Sequence, residues 1–446
     1  MEKFFKLKQN NTNVKTEIFA GITTFMTMAY ILIVNPNILS GLQTADGFIP
    51  TGMDKGAIFT ATALAAIIGT LIMALVANYP FALAPGMGLN GFFAFTVVLK
   101  MGYSWQVALT AVFVEGIIFI ILTFVNVREA LFNAIPMNLK YAVSAGIGLF
   151  IAFIGLQNAG IVVADPATLV SLGDMTSGTV LLAIIGVLVT ATLVVLKVRG
   201  SILLGILITW VLGMITEGLG VFQPQFSVIP TSIFSAPPSI APIAFKFDFS
   251  AVALANFWIV VFSFLFVDLF DTLGTLIGVS SKAGYLDKDG KLPKIKHALF
   301  ADSVATVAGA CLGTSTTTTY VESASGVAAG GRTGLTSLTT AVFFALALFF
   351  SPVLLTVPAF ATAPALIIVG FYMMESIAKV DFSDLTESIP AFLTILVMPL
   401  TYSISEGIVF GVVSYVVINF CVKKGKKVHP IMYILSILFI LKYILL

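Results

Sequence analysis

Long apolar runs separated by short polar connectors repeat along the 446-residue chain. Crossing the hydrocarbon layer takes about 20 apolar residues per helix. On that measure the first half predicts helices over 17–35, 57–77, 104–124, 139–157, 178–197 and 201–219, with a short, interrupted segment over 82–98 in third place. The second half predicts 255–279, 296–312, 333–351, 359–377, 388–403 and 404–422, again with a short third segment, over 319–330. A last apolar stretch, 429–446, is of marginal length either to span or to lie on the inner surface.

The placement of cations supports fourteen spans. With the N-terminus inside, every one of the 23 Lys and Arg residues falls on the cytoplasmic side except Lys55, Lys100, Lys246 and the unassigned Lys442. Cytoplasmic loops carry such an excess, and one miscounted span would scramble it. The N-terminal segment 1–16 is polar and basic and lacks a short apolar core before a cleavage site, so it is expected to be retained in the cytoplasm.

Composition narrows the class further. The chain is 59% hydrophobic and 10% charged, against about 25% charged in soluble proteins. An all-α polytopic membrane protein follows, with the lipid bilayer as its solvent and no nucleic-acid partner. The two cysteines, Cys311 and Cys421, imply no disulfide framework. His297 and His429 lie in basic linkers, which leaves no metal site and no hydrolytic triad. The chain is therefore not expected to be an enzyme.

The halves echo one another. Their third segments, Tyr79 to Phe95 and Gly313 to Gly331, both interrupt the apolar pattern. Pro85, Gly86 and Gly88 weaken a helix in the first, and Thr316 to Thr319 favour extended backbone in the second. Hydrocarbon cannot hydrate open backbone, so such pieces must line a protein-enclosed cavity. An odd number of spans per half makes the repeats inverted, and paired interrupted segments mark a transporter's binding site. The proline-rich 220–250 segment is read as an external linker between halves.

Candidate chemistry gathers on those segments. Glu322 and Asn90 occupy equivalent offsets in the two; a carboxylate at membrane depth is a site hypothesis by default. An amide and a carboxylate together suit a flat, neutral heterocycle with donors and acceptors on its edge. The alternatives are a buried structural acceptor for Glu322 and a half-helix cap for Asn90. Asp268 and Asp271 share one face of the eighth span, where two carboxylates cannot both ionise readily, as a proton-coupling pair requires. Gly88, Phe92, Thr319, Tyr320 and Ser323 are candidate pocket-lining residues, with core packing as the plain alternative for the aromatic ones. Glu115 is expected to bond a neighbouring helix, while Asp302, Glu375 and Glu406 are expected near span ends, served by water or lysines.

The stretches FVDLFDTLGTLIGVSSKAG, GTSTTTTYVESASGVAAGGRTGLTS and ALAPGMGLNGFFAF resemble signature segments of the AzgA-like guanine/hypoxanthine permeases, in the nucleobase–ascorbate transporter group related to the bacterial uracil permease. The resemblance runs from about Thr16 to the C-terminus. It implies a seven-plus-seven inverted repeat with a core domain (17–124 and 251–351) and a gate domain (139–219 and 352–422), followed by a basic linker and apolar helix over 423–446. It implies that Asp268 and Glu322 hold the base, that Asn90 contributes from the third span and that Asp271 is essential nearby. The function implied is proton-coupled uptake of hypoxanthine and guanine across the plasma membrane by an elevator-type or rocking motion. The proton gradient would drive it without a cofactor, and a homodimer through the gate domains would be the assembly. An adenine:proton symporter of the same fold is the alternative, and an anion transporter of the seven-plus-seven fold a more distant one.

Overall fold

The computed structural model describes residues 2–44, 47–125, 134–221, 229–230, 232–285 and 292–445. Arg128, Lys288, Lys291 and part of the 220–250 linker lie outside the described residues. The chain forms α1 (Val14–Met28), α2 (Ile31–Ser40), the hairpin β1 (Gly41–Thr44) and β2 (Gly47–Pro50), α3 (Lys55–Ile72), β3 (Leu83–Pro85) and α4 (Met87–Gly91). It continues through α5 (Trp105–Phe124), α6 (Met137–Asn158), the hairpin β4 (Val162–Asp165) and β5 (Leu169–Leu172), α7 (Gly178–Val195) and α8 (Ser201–Gly218). The second half forms α9 (Ala255–Ala283), α10 (Ile295–Leu312), β6 (Thr317–Thr319), α11 (Ser323–Ala328), α12 (Gly334–Ala347), α13 (Ala359–Met374), α14 (Leu385–Thr401), α15 (Ile404–Cys421) and α16 (Pro430–Leu445). Eleven helical stretches among the described residues are long and apolar enough to cross a membrane, so this is a helical, multi-pass membrane protein.

Polar residues set the ends of these helices. Asn13, Asp54, Ser104, Asp384 and Ser403 each accept a hydrogen bond from the first turn that follows, satisfying amides that have no partner within the helix. The helix expected over 17–35 is in two pieces. The break falls at Ala29 and Tyr30, where the Leu32 amide bonds the Ala29 carbonyl at i−3, while Pro36 sits farther on inside α2.

Packing follows two groups of neighbours. α1 packs on α11 and α12, α3 on α10 and α12, and α5 on α9 and α10. Separately, α6 packs on α13, α14 and α15, and α7 on α8 and α13. The α6–α13 contact depends on glycine: a Cβ at Gly148 or Gly370 would collide with the other's carbonyl oxygen. Small residues let backbones approach in this way where no hydrophobic force separates helix from lipid.

β3 and β6 come from opposite halves and pair antiparallel, with Leu83 opposite Thr319, Ala84 opposite Thr318 and Pro85 opposite Thr317. The Gly86 amide donates to the Thr316 carbonyl at 2.9 Å and the Tyr320 amide to the Ala82 carbonyl at 3.0 Å. Neighbouring hydroxyls bind further backbone: Thr70 accepts from the Leu83 amide at 2.9 Å, Thr306 donates to the Thr317 carbonyl at 3.1 Å, and Ser337 donates to the Tyr79 and Phe81 carbonyls. Extended backbone is thus held inside protein with its polar groups partnered.

α16 runs back along α15. At one end the Tyr433 hydroxyl donates to the Gly425 carbonyl at 3.1 Å, and at the other Tyr443 bonds Glu406 in the first turn of α15. Phe439 also packs edge-on against Phe262 and Phe266 of α9.

Candidate functional site

The β3–β6 pair forms the floor on which the polar side chains meet. On α9, Asp268 and Thr272 are one turn apart, and the Thr272 hydroxyl lies 3.0 Å from Asp268 Oδ1. The same hydroxyl stands 3.0 and 2.9 Å from the two oxygens of Asp302 and 3.0 Å from the hydroxyl of Thr318. A hydroxyl carries a single proton. With both carboxylates ionised it serves one at a time; with a proton on one carboxylate it can accept from that one while donating to the other, which bridges α9 and α10.

Asp302 differs from expectation. It is not near a span end served by lysines but fully buried in the middle of α10, where it also accepts from the Thr319 amide at 3.2 Å. Asp271 is half-buried and lies within electrostatic reach of Asp302 and Glu322. Gly86 is the glycine beside it, since a Cβ there would stand 3.4 Å from Asp271 Oδ2.

Glu322 stands immediately before the short α11 and is half-buried. The Tyr30 hydroxyl donates to its Oε1 at 2.6 Å, and Tyr320 and Tyr372 lie within its electrostatic reach. Asn90 is fully buried and engaged at both ends: its Oδ1 accepts from Ser315 and its Nδ2 donates to the Pro85 carbonyl at 3.3 Å. The Tyr320 hydroxyl reaches the same carbonyl at 2.5 Å. Ser323 accepts from the Ala82 amide at 2.9 Å, so its oxygen fixes the strand beside it. The Thr319 hydroxyl is buried and makes no hydrogen bond among the described residues.

Two of the expected lining residues lie to the side. Gly88 faces Ile147 of α6 and Ile404 of α15 rather than the carboxylates, and a Cβ there would press on Ile147. Phe92 packs edge-on to Phe264 at 4.9 Å. The structure brings Asp271 and Glu322 within reach of each other and adds Tyr30, Thr272, Asp302 and Tyr372 to the constellation. Tyr30 and Tyr372 gave no sequence signal, being single tyrosines in apolar helices; Thr272 did, as a hydroxyl one turn after Asp268. No group of three or more His, Cys, Asp and Glu residues placed to hold a metal ion occurs among the described residues.

The permease-family model matches residues 15–410 of this chain. This chain is a member of the permease family. Over 451 residues the permease is 49% identical to the guanine/hypoxanthine permease PbuG of Bacillus subtilis, with 100% of each chain covered. It is 44% identical over 444 residues to the adenine permease AdeP of Escherichia coli, covering 100% of this chain and 96% of that one. Among solved structures, the transmembrane domain of the cyanobacterial bicarbonate transporter BicA superposes with a TM-score of 0.65 at 16% identity, covering 90% of the permease and 97% of that domain. That likeness is one of fold alone. The permease is a membrane transporter and not an enzyme.

Proposed function

We propose that the permease imports purine nucleobases, hypoxanthine and guanine, across the plasma membrane together with a proton. The observation that carries this reading is Glu322. It is a half-buried carboxylate in a membrane protein whose Oε1 accepts from the Tyr30 hydroxyl at 2.6 Å, at the edge of a strand pair built from both halves. Identity over the whole chain with PbuG supports the choice of base.

In this mechanism Glu322 accepts hydrogen bonds from ring N–H groups, and Asp268 fixes the opposite side of the ring. Asp271 and Asp268 take up the proton, and Thr272 lies between Asp268 and Asp302 to share it. Asn90 acts from the third segment by holding Ser315 and Pro85 in place. An unmatched buried charge is costly to carry through an occluded state, whereas a protonated, ligand-satisfied site can cross. Proton and base then travel together, driven by the proton gradient without a cofactor. The architecture we assign is fourteen spans in a seven-plus-seven inverted repeat with the N-terminus cytoplasmic. The core comprises α1–α5 and α9–α12, the gate α6–α8 and α13–α15, and the core moves against the gate.

The test is uptake of labelled hypoxanthine in cells without their own purine carriers, with guanine, adenine, uracil and xanthine as competitors and an uncoupler as control. Competition by guanine, loss of uptake with the uncoupler, and loss in Glu322→Gln and Asp268→Asn are expected. Stronger competition by adenine would turn the reading to adenine:proton symport, which the identity to AdeP favours. Absence of base uptake despite surface expression would overturn it.

A further inference from the structure

Away from the carboxylate cluster, a cavity of about 250 Å³ opens between the helix that continues α4, the start of α9 and the start of α15. Its walls include Phe92 and Thr96 from the first, Asn256 and Ser263 from the second, and Ser403 and Ser405 from the third. Its size lies just under the range of about 300–1,000 Å³ that holds drug-sized ligands, which suits one bicyclic ring. Asn256 and Lys100 at its mouth are exposed.

Position links this cavity to the candidate site. Ser263 precedes Asp268 by five residues on α9, about 7.5 Å along the helix axis at 1.5 Å per residue, and Phe92 follows Asn90 by two. The cavity thus lies about one and a half turns from Asp268 along α9 and next to Asn90 along the third segment, on the side of the membrane that carries Lys100. It also lies at the seam between the two helix groups. Across that seam Thr96 donates to the Tyr402 carbonyl at 3.0 Å and Lys100 to the Thr401 carbonyl at 2.6 Å. The Tyr402 ring packs against Phe95 and Phe150.

The lining chemistry is that of a neutral ligand. Amide and hydroxyl groups of Asn256, Thr96, Ser403 and Ser405 offer uncharged donors and acceptors, and Phe92 offers an aromatic face. One cation and one anion, Lys100 and Glu406, flank them, and Glu406 is tied to Tyr443 of α16. A small anion would call for an excess of positive charge, which the cavity lacks.

We propose that this cavity is an outer subsite, which takes the planar, amide-bearing base against Phe92 before it descends to Glu322. The inference rests on the purine reading and on the Lys100 face being external. Initial rates of hypoxanthine uptake test it in Asn256→Ala and Ser405→Ala. Each should raise KM about three- to tenfold, the worth of one uncharged hydrogen bond, with the maximal rate unchanged. Equilibrium dialysis of the purified full chain gives the independent readout. Glu322→Gln should keep one weak class of hypoxanthine site, and adding Asn256→Ala and Ser405→Ala to it should remove that class. Unchanged KM in both single variants, or no residual binding in Glu322→Gln, would overturn the outer subsite while leaving purine transport intact. A wild-type protein that binds no purine would take down the transport reading and this inference with it.

Discussion

Replacing Glu17 by Ala removes a carboxylate that joins the first helix to the second half of the chain. Glu17 is fully buried in the first turn of α1. Its Oε1 accepts from the Arg332 amide at 2.8 Å. Its Oε2 accepts from the Thr333 amide at 3.2 Å and hydroxyl at 2.9 Å, and from the Thr336 amide at 3.1 Å and hydroxyl at 2.6 Å. These donors surround the start of α12, whose first amides have no partner within the helix and whose dipole favours a negative charge there. In Glu17→Ala the Thr336 amide keeps the Thr333 carbonyl, and the hydroxyls can rotate to other acceptors. The Arg332 and Thr333 amides lose their acceptor. Two orphaned amides cost about 1–3 kcal/mol each and the lost end charge about 0.3–1 kcal/mol. The expected destabilisation is about 2–7 kcal/mol, a large share of a native margin of about 5–15 kcal/mol. Glu17→Gln keeps one acceptor oxygen but turns an N–H₂ toward the remaining donors, so an intermediate loss is expected. Equilibrium unfolding of the purified protein in a mixed-detergent titration measures both. A loss below about 1 kcal/mol for Glu17→Ala would mean that water replaces the carboxylate, and the capping argument would be wrong.

Three further outcomes are expected. Tyr30→Phe removes the phenol that donates to Glu322 at 2.6 Å and should weaken hypoxanthine binding about tenfold, about 1.4 kcal/mol; unchanged affinity would exclude a positioning role for Tyr30. Thr272→Val keeps the shape but deletes the hydroxyl shared by Asp268, Asp302 and Thr318. Its maximal uptake rate should fall at least about tenfold while Thr272→Ser retains transport, and a fully active Val variant would remove the hydroxyl from the proton path. Asp384, partly exposed at the start of α14, has its carboxyl held down at about 2 by the Thr386 side chain and amide, with Lys424 and Lys427 adding to the effect. Its contribution to stability is present above the ordinary carboxylate range and is lost as pH falls through about 2. The stability gap between wild type and Asp384→Ala should be constant from pH 5 to 8 and close in acid; a gap that closes near neutrality would contradict this.

The interrupted third segments were legible because Pro85, Gly86 and the threonine run break a helical pattern that surrounds them on both sides. Carboxylates stood out for a similar reason, since hydrocarbon makes each one conspicuous. Depth along a helix was harder to read. Asp302 follows Lys294, Lys296 and His297 closely in sequence, yet packing against Thr272 and Thr319 puts it in the interior. Long-range pairs left no trace at all: Tyr30 meets Glu322 across 292 positions and Glu17 meets Arg332 across 315. Gly88 and Gly86 exchange places for a local reason. The helix starts at Met87 after Gly86, and this phase turns position 88 toward α6 while position 86 faces Asp271.

α16 runs back along the length of α15. The Tyr443–Glu406 bond carries the end of α16 back to the first turn of α15, far along the chain from the lysine run Lys423 to Lys427. The same helix touches α9 through Phe439 and α15 through Tyr443, one from each packing group. It therefore joins the two groups, and any displacement of one against the other has to break or carry along one of these contacts.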